Sequence, residues 1–301
     1  MSTPTKPATT GPAPGPASAS ASEAAYGYRA GRPLPLRVEL VRQLKRRRTL
    51  VMGAILAVLP FVLVVAFAIG GDPEGPGDRI TLMDTATASG ANFAAVNLFV
   101  SAGFLLVVPV ALFCGDTVAS EASWSSLRYL LAAPVPRARL LASKLAVGLG
   151  LSLAAMVLLP LVALAVGTVA YGWGPLAIPT GGSLAPGTAA QRLVVVVAYI
   201  FVSQLVTAGL AFWLSTRTDA PLGAVGGAVG LTIVGNVLDA VTALGHWRDF
   251  LPAHWQFAWA DAVQPNPEWS GMIQGTAVSV TYALVLFALA FRGFARKDVV
   301  S

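Results

Sequence analysis

Residues 145–170 read LAVGLGLSLAAMVLLPLVALAVGTVA, 26 residues without one charged side chain. At about 1.5 Å per residue, a helix of that length exceeds the roughly 30 Å of hydrocarbon in a bilayer. Pro160 interrupts it, but membrane helices tolerate proline. Five more apolar segments, near 49–70, 92–114, 193–215, 222–244 and 272–291, are each long enough to cross. Together they predict an all-α integral membrane protein with six transmembrane helices.

Composition excludes the main alternatives. Only 11% of the 301 residues are charged and 55% are hydrophobic, against roughly 25% charged in a soluble domain. A water-soluble enzyme could not hide that much apolar surface. The single cysteine, Cys114, excludes an intramolecular disulfide framework and a multi-cysteine zinc site. A phosphate-cradling loop needs a Gly-Lys-Ser/Thr step. The lysines are Lys6, Lys45, Lys144 and Lys297, and none follows a glycine. The chain therefore has no nucleotide-binding loop of that kind.

The flanks set the organisation. Residues 1–32, rich in Pro, Ala and Ser, have no apolar periodicity and are expected to be disordered. In 33–48, Leu36, Leu40, Val41 and Leu44 recur at helical spacing, with Arg37, Arg42, Lys45 and Arg46 opposite. This predicts an amphipathic helix lying in the membrane interface. If the N-terminus is cytoplasmic, only Arg79, Arg192 and Arg248 of the 20 basic residues fall outside. The positive-inside rule thus predicts cytoplasmic N and C termini. The net charge of +6 then reflects topology, and no nucleic-acid partner is implied. Residues 71–91 and 171–191 read as outer loops. Residues 245–271 carry Trp247, Trp255, Trp259 and Trp269 and are expected to lie on, or dip into, the outer leaflet.

The loop between spans two and three, GDTVASEASWSSLRYLLAAPVPRARLLASKL, occupies 115–145. As a helix over 117–132 it places Trp124, Leu127 and Leu131 on one side and Glu121, Ser125 and Arg128 on the other. Pro134 and Pro136 stop that helix, and Arg137, Arg139 and Lys144 hold the start of span three at the headgroups. By pattern alone it is equally a lever for a soluble partner or a plain connector.

Glu121, Leu127-Arg128-Tyr129-Leu130-Leu131, Pro134-Val135-Pro136-Arg137, Leu140-Leu141 and Lys144 resemble the cytoplasmic loop of ABC-2 type transporter permeases. The resemblance spans about residues 34–299, including the six-span order, the basic helix ahead of span one and the ending Phe294-Ala295-Arg296-Lys297-Asp298. Ser125-Ser126 departs from the Gly-Thr frequent in the family. The resemblance implies a six-span permease domain over 49–299 in a bacterial cell membrane, with 115–144 as its coupling loop. It implies a membrane subunit that is not itself an enzyme and needs no cofactor of its own. Cytosolic ABC ATPase subunits would supply ATP and Mg. A second permease copy would pair with it, as a homodimer or a heterodimer. Coupling to the ATPase would fall to Glu121, Trp124, Leu127, Arg128 and Arg137.

Polar residues within spans usually face a bundle or cavity. Asn97, Gln204, Asn236, Asp239 and Gln274 are such positions. The resemblance makes Asn97 and Asn236 the candidate substrate path, against interhelical hydrogen bonding as the plain alternative. Gly223, Gly226, Gly227 and Gly230 form interleaved small-xxx-small pairs suited to close helix packing, within the chain or across a dimer. His246 and His254 lack metal-ligand spacing, and no metal site is expected.

The leading reading is an exporter permease moving an apolar or amphipathic substrate. The alternative is an integral membrane enzyme acting on lipid or prenyl substrates, which would need a catalytic motif the sequence lacks. A secondary transporter would show inverted repeats, and none is evident.

Overall fold

The computed structural model describes residues 36–70, 81–123 and 136–296. The N-terminal tail and residues 124–135 of the coupling loop lie outside them, and so do Trp124, Leu127 and Arg128. The described chain is helical almost throughout: α1 (Leu36–Leu44), α2 (Arg47–Gly70), α3 (Gly90–Ala102), α4 (Val107–Ser123), α5 (Arg137–Tyr171), α6 (Pro186–Ser203), α7 (Leu205–Arg217), α8 (Pro221–Ala240) and α9 (Ser270–Ala295). Five apolar helical stretches can cross a membrane, or six if α3 and α4 are one bent span.

The apolar segment expected near 92–114 is bent. The axes of α3 and α4 differ by 53° across a break of at most four residues. Gly103 sits in the break, where glycine loosens a helix, and Pro109 falls in the first turn of α4. Proline is at home in a first turn, because it has no N–H to contribute to an earlier turn. Leu106 N–H reaches back five residues to Ser101 O at 2.9 Å, the mark of a widened turn.

Other boundaries also move. The helix expected over 117–132 is, as far as Ser123, the continuation of α4. The helix that contains the expected span 145–170 begins at Arg137 and runs 35 residues. Span four is α6 followed by α7, interrupted at Gln204. The expected loop 171–191 contains a small antiparallel hairpin, β1 (Leu176–Ala177) with β2 (Ser183–Leu184), and then the start of α6. Gly181 and Gly182 turn the hairpin with φ of 99° and 91°, which L side chains rarely adopt. Asn92 ties it to α3, exchanging hydrogen bonds of 2.8 and 2.9 Å with Ala177.

Packing divides the bundle into two groups that share α4. α5 receives α2, α3 and α4, while α7 receives α4, α8 and α9. Close approach of α3 to α5 depends on Gly90 and Gly167. A Cβ on Gly90 would lie 2.5 Å from Thr168 Oγ1, and one on Gly167 would lie 2.8 Å from Phe93.

The tryptophan-rich segment forms 3-10 turns at Thr242–Phe250, Pro252–Trp255 and Ala258–Val263. Its tryptophans do not share one fate. Trp247 is 74% exposed, whereas Trp259 is fully buried beside Phe99. This segment therefore packs partly into the bundle and partly outside it.

Candidate functional site

Two places concentrate polar chemistry. The first lies where α1, α4 and α5 meet. α1 turns Glu39 and Gln43 inward, leaving Leu36, Leu40, Val41 and Leu44 exposed. Glu39 accepts from Gln43 at 3.2 Å and pairs with Arg42 and Lys144 at 3.4 Å each. Lys144 Nζ lies 2.5 Å from Glu121 Oε1, and Arg42 also pairs with Glu121. Beside them, Asp116 takes both Arg46 and Arg48. Burial pulls the Arg46 guanidinium below its ordinary range, and Asp116 opposes that pull.

Glu121, expected to face an ATPase, therefore has its carboxylate among the chain's own cations, with only 2% of its side chain exposed. Arg137 begins α5 and donates to Ala295 O at 3.3 Å. Glu39 and Asp116 were not foreseen as partners of the arginine cluster. The available signal was charge complement: both acids lie on the side of the chain where the basic residues gather.

The second place is the α3–α4 break. A broken helix leaves carbonyls without intrahelical donors, and in hydrocarbon these must find partners. Gln204 Nε2 donates to Ala102 O at 3.2 Å, while its Oε1 accepts from Thr207 at 3.0 Å. Asn236 Nδ2 lies 3.5 Å from Gly103 O. Gln204, Thr207, Thr232 and Asn236 line a cavity of about 300 Å³, with Pro252 and Gln256 from the tryptophan-rich segment. Among the described residues, the cavity lining contains hydroxyls, amides and aliphatic groups but no charged side chain. Leu231 and Tyr282, also in the lining, are 48% and 44% exposed.

The structure does not bring the two candidate path residues together there. Asn236 lines the cavity, but Asn97 is fully buried in α3, with Nδ2 donating to Phe93 O of its own helix at 2.8 Å. Its Oδ1 has no partner among the described residues. The glycines of α8 also part company. A Cβ on Gly227 would lie 2.9 Å from Leu214 of α7, and one on Gly223 would meet only Ala220 and Thr218 nearby. A Cβ on Gly226 or Gly230 would meet no neighbouring element within 4 Å among the described residues.

At the tryptophan-rich end, Asp239 accepts from Arg248 at 3.2 Å and lies 2.7 Å from His254 Nδ1. Among the described residues no three side chains are grouped to hold a metal ion.

The family model described as ABC-2 family transporter protein matches residues 36–218, from α1 through α7. The chain belongs to the ABC-2 transporter family. As an ABC-2 family protein it is a multi-pass membrane component of an ABC transporter. The matched region holds the whole α1–α4–α5 ion cluster and both halves of the bent span. No curated protein matches the ABC-2 chain.

Proposed function

We propose that the chain is the transmembrane subunit of an ATP-driven exporter in a bacterial cell membrane, powered by separate cytosolic ABC ATPase subunits that hold ATP and Mg. The family match over 36–218 carries this reading. The α1 end of the bundle is cytoplasmic, a reading supported by the basic residues gathered there. Two copies assemble, most simply as a homodimer, through the open face of α8 at Gly226 and Gly230.

Coupling enters through the loop between α4 and α5. Trp124, Leu127 and Arg128 meet the ATPase. The Glu121–Lys144 pair and Arg137 carry the push from that loop into the bundle. An uncharged amphipathic cargo fits the neutral lining of the cavity beside Asn236. The test reconstitutes the chain with candidate cytosolic ABC ATPases and screens amphipathic compounds for stimulated hydrolysis. Stimulation that requires this chain supports the proposal. An ATPase that neither co-purifies nor responds would overturn it.

A further inference from the structure

A hollow of about 450 Å³ lies where α7 and α9 end, lined by Thr216, Arg217, Leu289, Arg292, Gly293 and Arg296. Three arginines thus border one space, and among the described residues no carboxylate lines it. The basic cluster on α1 and α2 makes the contrast. There Arg42, Arg46 and Arg48 are matched by Glu121 and Asp116.

Helix dipoles explain part of the arrangement. A cation in a last turn offsets the partial negative charge of the helix end, which accounts for Arg217 on α7 and Arg292 on α9 one at a time. It does not account for the convergence of both, with Arg296, around one cavity. Gly293 makes the convergence possible. A Cβ there would lie 3.3 Å from Arg217 Nε and 3.5 Å from its Nη2, so the missing side chain lets the guanidinium lie against α9. Arg217 also lies over the Trp213 ring, 5.7 Å from the centroid.

The geometry points to a binding site for the phosphate of an anionic phospholipid headgroup. Guanidinium forks match phosphate oxygens in pairs, and basic pockets at the ends of membrane helices suit lipid phosphates. The lipid is favoured over a free phosphate because exposed Leu289, one turn nearer the membrane on α9, offers acyl chains an apolar surface. The inference requires that the chain is embedded in a membrane. It does not depend on transport, on an ATPase, or on which side is cytoplasmic.

The full chain is purified in a neutral detergent. Retained lipid and the thermal midpoint are measured with phosphatidylglycerol, phosphatidylcholine or inorganic phosphate. Phosphatidylglycerol should be retained in preference and should raise the midpoint, with little effect from the other two. Each of R217Q, R292Q and R296Q should weaken phosphatidylglycerol retention about fivefold. The triple variant should lose the preference, and the triple Lys variant should keep part of it. R192Q, beside Trp269, should match wild type. The single variants carry the test if the triple does not fold. Wild-type preference in all three singles would overturn the site. An equal effect of inorganic phosphate would overturn the lipid assignment. So would normal lipid preference in variants that lose only ATPase co-purification.

Discussion

Lys144 of α5 and Glu121 of α4 form an ion pair at 2.5 Å, with side chains only 3% and 2% exposed. The pair brackets residues 122–143, so the last described turn of α4 and the first turns of α5 are fixed to one another across the coupling loop. Glu39 and Arg42 join it from α1, making three helices converge on one charge cluster.

Removing one cation from a buried cluster of two carboxylates and two bases leaves one negative charge uncompensated. Lys144→Met should therefore destabilise the protein by about 3 kcal/mol, seen as a lower thermal midpoint and reduced membrane abundance. Combining it with Glu121→Gln should recover much of the loss. If the double variant is as unstable as the sum of the singles, the two residues do not act as a pair.

Gln204→Leu is nearly the same size but cannot reach Ala102 O. The carbonyl at the broken helix end would then be orphaned, at about 1–3 kcal/mol. Thermal unfolding in detergent checks this. An unchanged midpoint would mean that another group caps the break.

The glycines should divide by what their missing Cβ would touch. Gly167→Ala places a methyl against the Phe93 ring and should destabilise by about 1–3 kcal/mol. Gly226→Leu starts from a position where a Cβ meets open space among the described residues. It should leave the thermal midpoint near wild type and lower dimer yield in crosslinking. A full dimer yield in Gly226→Leu would remove that face from the assembly.

Topology is tested by single cysteines with Cys114 replaced. Ser183 and Ser270 should label with an impermeant thiol reagent in intact cells, and Ser126 should not. External labelling of Ser126 would invert the arrangement.

Arg128→Ala should insert normally while transport and substrate-stimulated hydrolysis fall. Membrane abundance, ATPase co-purification and transport are compared in the same preparations. Wild-type transport would exclude Arg128 from coupling.

Much of the architecture was legible because hydropathy reports length and apolarity. Residues 49–70 and 272–291 fall within α2 and α9. Hydropathy does not report direction, so the break at Gly103 was hidden between two equally apolar halves. The orientation of α1 was half legible. Its leucines face out as an apolar stripe would, but the inward use of Glu39 depends on Lys144, 105 residues away. Gln204 and Asn236 were recognisable as costly polar residues. Their particular partners, Ala102 and Gly103, required the bend to be known first. Trp259 shows the limit of composition, since a residue type that prefers interfaces is here a core side chain.

The 35 residues of α5 make a rod about 52 Å long at 1.5 Å per residue, about 20 Å more than the hydrocarbon it crosses. One tip carries Arg137 and, two turns in, Lys144. The other meets α3, where Gly90 N–H donates to Gly172 O at 3.0 Å. A rotation of about 10° about its midpoint would swing each tip by about 4–5 Å. A displacement begun at the ion cluster would thus reach the hairpin end of α3 on the opposite face of the bilayer, through one continuous helix acting as a balance beam.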